Sequence, residues 1–421
     1  MSSGLPGYAQ AAELVAACAA RLRPCAAVEQ VVLAAASGRV LATPVRADRD
    51  QPPFARSTRD GFACRAAEAS RHGLLPVAGV TRAGDRPGGP LPHGAAWEIM
   101  TGAPVPAGAD AVVMLEHVEA AGGQVRLLPP RTISAGENIV ARGAQARAGD
   151  QLLRAGSIVT FAQIAVAAEC GFAALEVFRR PRVAILTTGD ELVAIESDPA
   201  PGQIRNSNAP MLATMVAAAG GEPWVLPTAA DNAQALDTAL AEAAQADLLL
   251  ISGGVSAGKF DLVEPALARM GAQFHFTGVR IQPGKPLVFG ELPRKGDPQA
   301  GAGPTAPFFG LPGNPVSSAV TFLLFAAPVL GALAGGRETG PRFVLARLAK
   351  ETDRRAKPGL TRFLPARCNF NPPGGELPQV ALVPWQGSGD LAALAKSNCF
   401  LVVPEEDARL AEGAIVRILL F

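Results

Sequence analysis

Five short runs combine glycine, carboxylate, hydroxyl and lysine in patterns suited to holding phosphates and oxyanions. In ISGGVSAGKFD (251–261), Gly253 and Gly254 let the backbone bend tightly and approach a ligand, and Ser256 offers a hydroxyl just before a helix begins. In FFGLPGNPVS (308–317), Gly313 permits an unusual turn, Asn314 suits a helix cap, Pro315 suits the first helical turn, and Ser317 presents a second hydroxyl. QPGKP (282–286) sets Lys285 on a stiff turn, where a fixed cation suits a tetrahedral oxyanion. Asp190 and Glu191 in TTGDEL, Asp231 in TAADN, and Asp261 supply hard oxygen ligands of the kind that hold magnesium beside phosphates. Taken singly, each run is more often an ordinary helix start or solvated turn. Two cradles on one sheet edge reverse that preference.

The elements that must position these runs alternate strand and helix. Strands are expected at 183–187, 224–226, 248–251, 274–276 and 287–289, with helices at about 209–219, 233–245, 262–270 and after Pro315. Asn206 or Asn208 suits the cap of the first helix, Gly220 its end, and Asp231 the opening of the second. Such alternation builds a parallel sheet covered on both faces, and ligands of open parallel sheets bind at the carboxyl edge. The segment 292–307, rich in Gly and Pro and carrying Lys295 and Asp297, reads as an exposed loop. A helix is expected from the start to about 26, a β-rich stretch from 31 to 177, and a small β-barrel after about 336. Within the β-rich stretch, DQPPFARSTRDGFA (50–63) carries Ser57, Thr58 and Asp60 beside Gly61, and IMTGAPVPAGADAVV (99–113) carries Thr101 and Gly102. Rigid loops of this kind serve recognition or merely turn the chain, and the residues alone favour neither.

At 421 residues the chain has room for about three domains of ~150 residues each. Lys plus Arg number 38 against 37 Asp plus Glu, so no global field exists to hold nucleic acid or an anionic membrane. Any anion site must be local. The six cysteines, at 18, 25, 64, 170, 368 and 399, have neither CxxC spacing nor disulfide-framework density, and read as reduced thiols of a cytoplasmic protein. The start lacks a basic region followed by an apolar core, as an export signal would require. The apolar run 319–334, interrupted by Pro328 and Gly331, reads as a buried helix rather than a membrane span.

Taken together, PPFARSTRDGFA, IMTGAPVP, GENI, TTGDEL, ISGGVSAGKFD, PGKP, GLPGNPVS, GLTRFLPAR and QGSGDLAALAKSNCF, in that order, resemble the molybdenum insertase family, which includes bacterial molybdopterin molybdotransferases and the E domain of gephyrin. The resemblance spans roughly Gln10 to Phe421. It implies a multidomain fold of α/β and β units: a parallel-sheet molybdopterin-binding domain (1–26 and 181–332), a linking β subdomain (27–45 and 146–180), an elongated β-rich N-terminal lobe (46–145) and a C-terminal β-barrel (333–421). It implies a homodimer whose site is shared between subunits, so that Asp60, as a catalytic carboxylate, and Thr101 act in trans. Gly253, Gly254, Ser256, Gly313, Asn314 and Ser317 would hold the pterin phosphate and adenylate, and Lys285, Pro286, Arg362 and Ser388 the molybdate. Asp190, Glu191, Asp231 and Asp261 would position magnesium and the scissile anhydride, with Asp190, Glu191, Asp261 and Lys285 joining Asp60 in catalysis. The implied reaction converts adenylyl-molybdopterin and molybdate to molybdenum cofactor, AMP and water. Partners implied are the upstream molybdopterin adenylyltransferase and recipient molybdoenzyme apoproteins, with no nucleic acid and no membrane. The chain differs from the common pattern at Gln282, Gln145, Ala392 and Ala393, and tungstate is an alternative oxyanion. Two rival readings share some of these runs: molybdopterin adenylyltransferase, which lacks the lobe and barrel, and a gephyrin-like scaffold without catalysis.

Overall fold

Alternate residues of the strand Arg182–Thr187 point to opposite sides of a sheet, and both sides are covered. Val183 and Ile185 join one core, while Ala184 and Leu186 join another. The computed structural model describes residues 4–22, 27–86, 88–254, 262–293, 305–336, 339–352, 359–406 and 409–421. The sheet has six strands, in the order Glu222–Val225, Arg182–Thr187, Leu248–Ser252, Thr305–Leu311, Val288–Pro293 and Gln273–Thr277. The first four are parallel. Val288–Pro293 runs antiparallel to both its neighbours, so the sheet is mixed where the alternation predicts a parallel one. The cause lies in the intervening sequence. Eleven residues separate Pro293 from Thr305, fewer than a parallel crossover takes, so these two strands pair head to tail. The two strands reach Pro293 and begin again at Thr305, which shortens the expected loop; 294–304 lie outside the described residues.

One face of the sheet packs against helices Tyr8–Arg21, Asn208–Ala218 and the long apolar helix that begins at Pro315. The other packs against Ala233–Ala243 and Val263–Arg269. The first helix buries Ala11, Val15 and Cys18 and stops at Arg21. The long helix runs from Pro315 to Leu333 and is long and apolar enough to cross a membrane, yet 78% of it is buried in the fold. A π turn interrupts it at Phe322–Ala326, where the Ala327 N–H returns to Phe322 O, just ahead of Pro328, which has no N–H to give. Phe289 and Phe309, both fully buried, stack at 4.6 Å between sheet and helix.

Glu291 fastens the edge of this unit. Its carboxylate accepts from Arg21 at 3.1 Å and Thr305 at 2.8 Å and pairs with His275 at 2.9 Å, tying the first helix to three strands. Burial pushes its carboxyl up, but the bonds from Thr305 and His275 and the charges of His275 and Arg21 outweigh burial and leave it below its ordinary value.

The expected C-terminal barrel is present and closed. Strands Phe343–Leu348, Thr361–Asn369, Gln379–Leu382, Cys399–Val403 and Ile415–Leu420 form a ring because Thr361–Asn369 pairs with both Gln379–Leu382 and Cys399–Val403. In the N-terminal part, six strands between Gly61 and Leu127 form a separate sheet with its own core. Val28–Val32 pairs with Ala174–Phe178 beside helix Phe161–Glu169. That helix was not expected in a β-rich stretch. It is opened by a capping box in which Thr160 and Gln163 satisfy each other's backbone. The five described cysteines are free and buried.

Phe309→Ala should cost about 3–5 kcal/mol by opening a cavity against Phe289; urea unfolding followed by circular dichroism tests this, and a loss below about 1 kcal/mol would contradict the packing. For Glu291 the native pKa lies below the unfolded one, so its stabilisation is complete above the ordinary value of 4.5 and disappears as pH falls through the native value. Glu291→Gln should therefore melt lower than wild type near neutrality and lose less stability on acidification. Identical acid slopes for the two proteins would rule out this tie.

Candidate functional site

At the carboxyl ends of the parallel strands lies a cleft of about 720 Å³. Thr187 and Thr188, Ser252 to Gly254, and Pro312 to Pro315 reach it from three neighbouring strands, and Asp231 from the turn after the fourth. Gly253 has φ +97°, and a Cβ there would meet Thr188 O at 2.6 Å, so only glycine fits. A Cβ on Gly313 would lie 3.6 Å from Gly253 Cα. The SGG and PGN turns thus touch, and Pro315 opens the long helix directly behind them. Backbone donors at that helix start, and at a tight glycine turn, suit an anion.

Two asparagines absent from the expected site residues join the turns. Asn206 Nδ2 donates to Thr187 Oγ1 at 2.9 Å and to Thr228 Oγ1 at 3.2 Å. Asn208 Nδ2 donates to Ser252 Oγ at 2.9 Å and to Gly313 O at 2.6 Å. Asn206 also accepts from the Ala209 N–H at 3.1 Å, the capping role expected of it, while Ser207 occupies the cap position itself.

The carboxylates divide. Glu191 and Asp231 line the cleft, and the Asp231 N–H donates to Asp190 Oδ1 at 3.0 Å. Burial, joined by repulsion from Asp190 and Glu191, raises the Asp231 carboxyl above its ordinary value. Asp231 does not open the following helix; Asn232 does, accepting from the Ala235 N–H at 2.9 Å. Among the described residues no group of three or more His, Cys, Asp or Glu is placed to hold a metal ion. Asp261 and Ser256 lie outside the described residues.

The lysine turn adjoins the barrel. Ile281–Gln282 pairs with Thr361 and Arg362, which sets Gln282 opposite Arg362, and Pro286 lines the cleft. The buried Arg362 stands on this seam, and neither it nor the exposed Lys285, three residues past Gln282, lines the cleft wall. Ser388 O accepts the Val316 N–H at 3.0 Å, and its neighbour Gly389 lines the cleft. Ser317 is not presented to the cleft as expected. The helix that carries it is surrounded by core on its first turn, and Ser317 is only 4% exposed.

Asp60 and Thr101 come together elsewhere. Thr101 donates to Asp60 Oδ1 through its N–H at 2.6 Å and its hydroxyl at 2.7 Å, and those bonds, the backbone one first, hold the carboxyl below its ordinary value. Gly61 beside them is obligatory, since a Cβ would overlap Val113 O on the adjacent strand. Among the described residues nothing between 46 and 145 lines the cleft of the same chain.

Residues 8–171 match the family described as the MoeA N-terminal region (domain I and II), 184–332 the probable molybdopterin binding domain, and 346–421 the MoeA C-terminal region (domain IV). The molybdopterin molybdenumtransferase of Nostoc sp. is 37% identical over 406 residues, covering 93% of this chain and 88% of that protein. The one from Haemophilus influenzae is 32% identical over 397 residues and 93% of each chain. The crystal structure of the molybdopterin biosynthesis moeA protein from Pyrococcus horikoshii OT3 is similar at a TM-score of 0.81 and 27% identity, over 99% of this chain and 100% of that one. With relatives of that identity along nearly its whole length, this chain belongs to the molybdopterin molybdenumtransferase family.

Proposed function

We propose that this chain transfers molybdate to adenylyl-molybdopterin, releasing AMP and water, in the final step of molybdenum cofactor biosynthesis. The observation that carries the reading is the contact between the Gly253 and Gly313 turns at the carboxyl edge of the sheet, in a chain whose relatives are named molybdopterin molybdenumtransferase. Cleaving a phosphoanhydride beside an oxyanion concentrates negative charge. Catalysis then needs donors and cations fixed in advance where that charge develops. Backbone donors of Gly254, Gly313 and Asn314, with the Ser256 hydroxyl, hold the phosphates, while the Gly253 N–H, spent on Leu311 O, fixes the turn that presents them. Arg362, on the seam with the barrel, and Lys285, on the turn beside Pro286, supply positive charge for molybdate, with Pro286 and Ser388 shaping its pocket.

Magnesium fits the same edge by the chemistry of its donors. Burial, joined by repulsion from Asp190 and Glu191, raises the Asp231 carboxyl, and hard carboxylate oxygens suit this ion. We assign Asp190, Glu191, Asp231 and Asp261 to it; when bound, it neutralises the anhydride's charge. Asp60, its carboxyl held low by Thr101, does not line the cleft of its own chain. A second copy that brings its Asp60 and Thr101 to the cleft completes the site, which makes the working form a homodimer. The adenylyltransferase reading is disfavoured because lobe and barrel are both present, and the scaffold reading because the cleft keeps its polar furniture.

The test is molybdate-dependent AMP release from adenylyl-molybdopterin with magnesium. Lys285→Ala and Asp261→Ala should each remain folded and lose AMP release by about 100-fold or more. Mixing Asp60→Ala with Lys285→Ala should restore about a quarter of wild-type activity, because random pairing leaves one intact site in half the dimers. Full activity in folded Lys285→Ala would contradict the assigned chemistry, and no recovery on mixing would contradict the shared site.

A further inference from the structure

Beyond the last rung between strands Leu248–Ser252 and Thr305–Leu311, where the Gly253 N–H reaches Leu311 O at 3.2 Å, the two phosphate-holding turns depend on a side chain for their spacing. That side chain is Asn208, and we propose that it is a positioning residue which sets the distance between the SGG and PGN turns so that one phosphate is gripped by both. The inference rests on reading the cleft as a phosphate cradle. Asn208 spends its two amide hydrogens on Ser252 Oγ and Gly313 O, one acceptor from each turn. Because Gly313 O can only accept, the amide cannot be turned over, and its orientation is fixed. Oδ1 is then buried without a hydrogen-bond partner, and so is Thr188 Oγ1, which lies beside Gly253 and Gly254. Two unsatisfied polar atoms in one wall cost stability, so folding alone does not account for this arrangement. The anchor is rigid: Asn208 begins a helix whose Leu212 and Val216 are fully buried in the main core.

Binding of inorganic pyrophosphate to the full-length protein, measured by calorimetry, tests this separately from catalysis. Asn208→Ala should bind pyrophosphate about tenfold more weakly than wild type, one hydrogen-bonded link being lost from the cradle. Asn208→Asp keeps the size but cannot donate to Gly313 O when ionised, so it should bind weakly at pH 8 and recover as its carboxyl is protonated at lower pH, relative to wild type at each pH. Asn398→Ala serves as the structural control, since Asn398 makes two comparable bonds to Cys368 in the barrel and none in the cleft; it should lower the melting temperature and leave binding within about twofold. Wild-type-like binding by folded Asn208→Ala, equal losses in the Asn208 and Asn398 variants, or no pyrophosphate binding by wild type would each overturn the proposal. Pyrophosphate binding without AMP release would instead sink the proposed reaction and leave the role of Asn208 standing.

Discussion

The close approach of two backbone turns governs this molecule. Gly253 and Gly313 sit at the ends of adjacent parallel strands, and the space between them admits no additional side chain of ordinary conformation at Gly253. Everything around them serves to keep that approach fixed. The strands are buried on both faces, so a slip of one residue would push Leu250 and Ile251 each into the other, differently packed core. The long helix from Pro315 is sunk in the core, so its amino end cannot swing away. The asparagines at 206 and 208 add side-chain links between neighbouring turns, Asn208 reaching Gly313 beyond the last strand rung.

Much of this was legible in the sequence because it depends on local chemistry. Gly-rich turns following apolar runs fix where strands end, and alternating apolar faces fix the sheet and barrel. What escaped was tertiary. Asn206 and Asn208 sit ahead of an apolar helix and read as caps; one does cap, but their links to Thr187, Thr228, Ser252 and Gly313 span residues far apart in the chain. Asp231 and Asn232 are both good caps, and only the fold selects Asn232. Ser317 reads as a hydroxyl at a helix start, yet that start is enclosed by core. The helix Phe161–Glu169 carries a readable signal, the Thr160–Gln163 spacing of a capping box, set among short apolar runs that read as strands.

The charge arrangement follows from the near-zero net charge. With 38 basic and 37 acidic residues, no long-range field draws an anion, so attraction must come from short-range donors. Glu191 and Asp231 line the cleft, Asp231 being raised by burial and then by its acidic neighbours, while Arg362 stands on the barrel seam and Lys285 on the turn that follows it. Opposite charges held apart on separate elements can engage different ends of one ligand without neutralising each other. The Asp60–Thr101 pair, set in a sheet of its own, belongs with a cleft supplied by another copy in the reading proposed above.

The most direct measurement is a crystal structure of the protein with AMP and molybdate. The account predicts the phosphate of AMP within hydrogen-bond reach of backbone donors from both the Gly253–Gly254 and Gly313–Asn314 turns. Phosphate density at one turn alone, or on another face of the molecule, would contradict it.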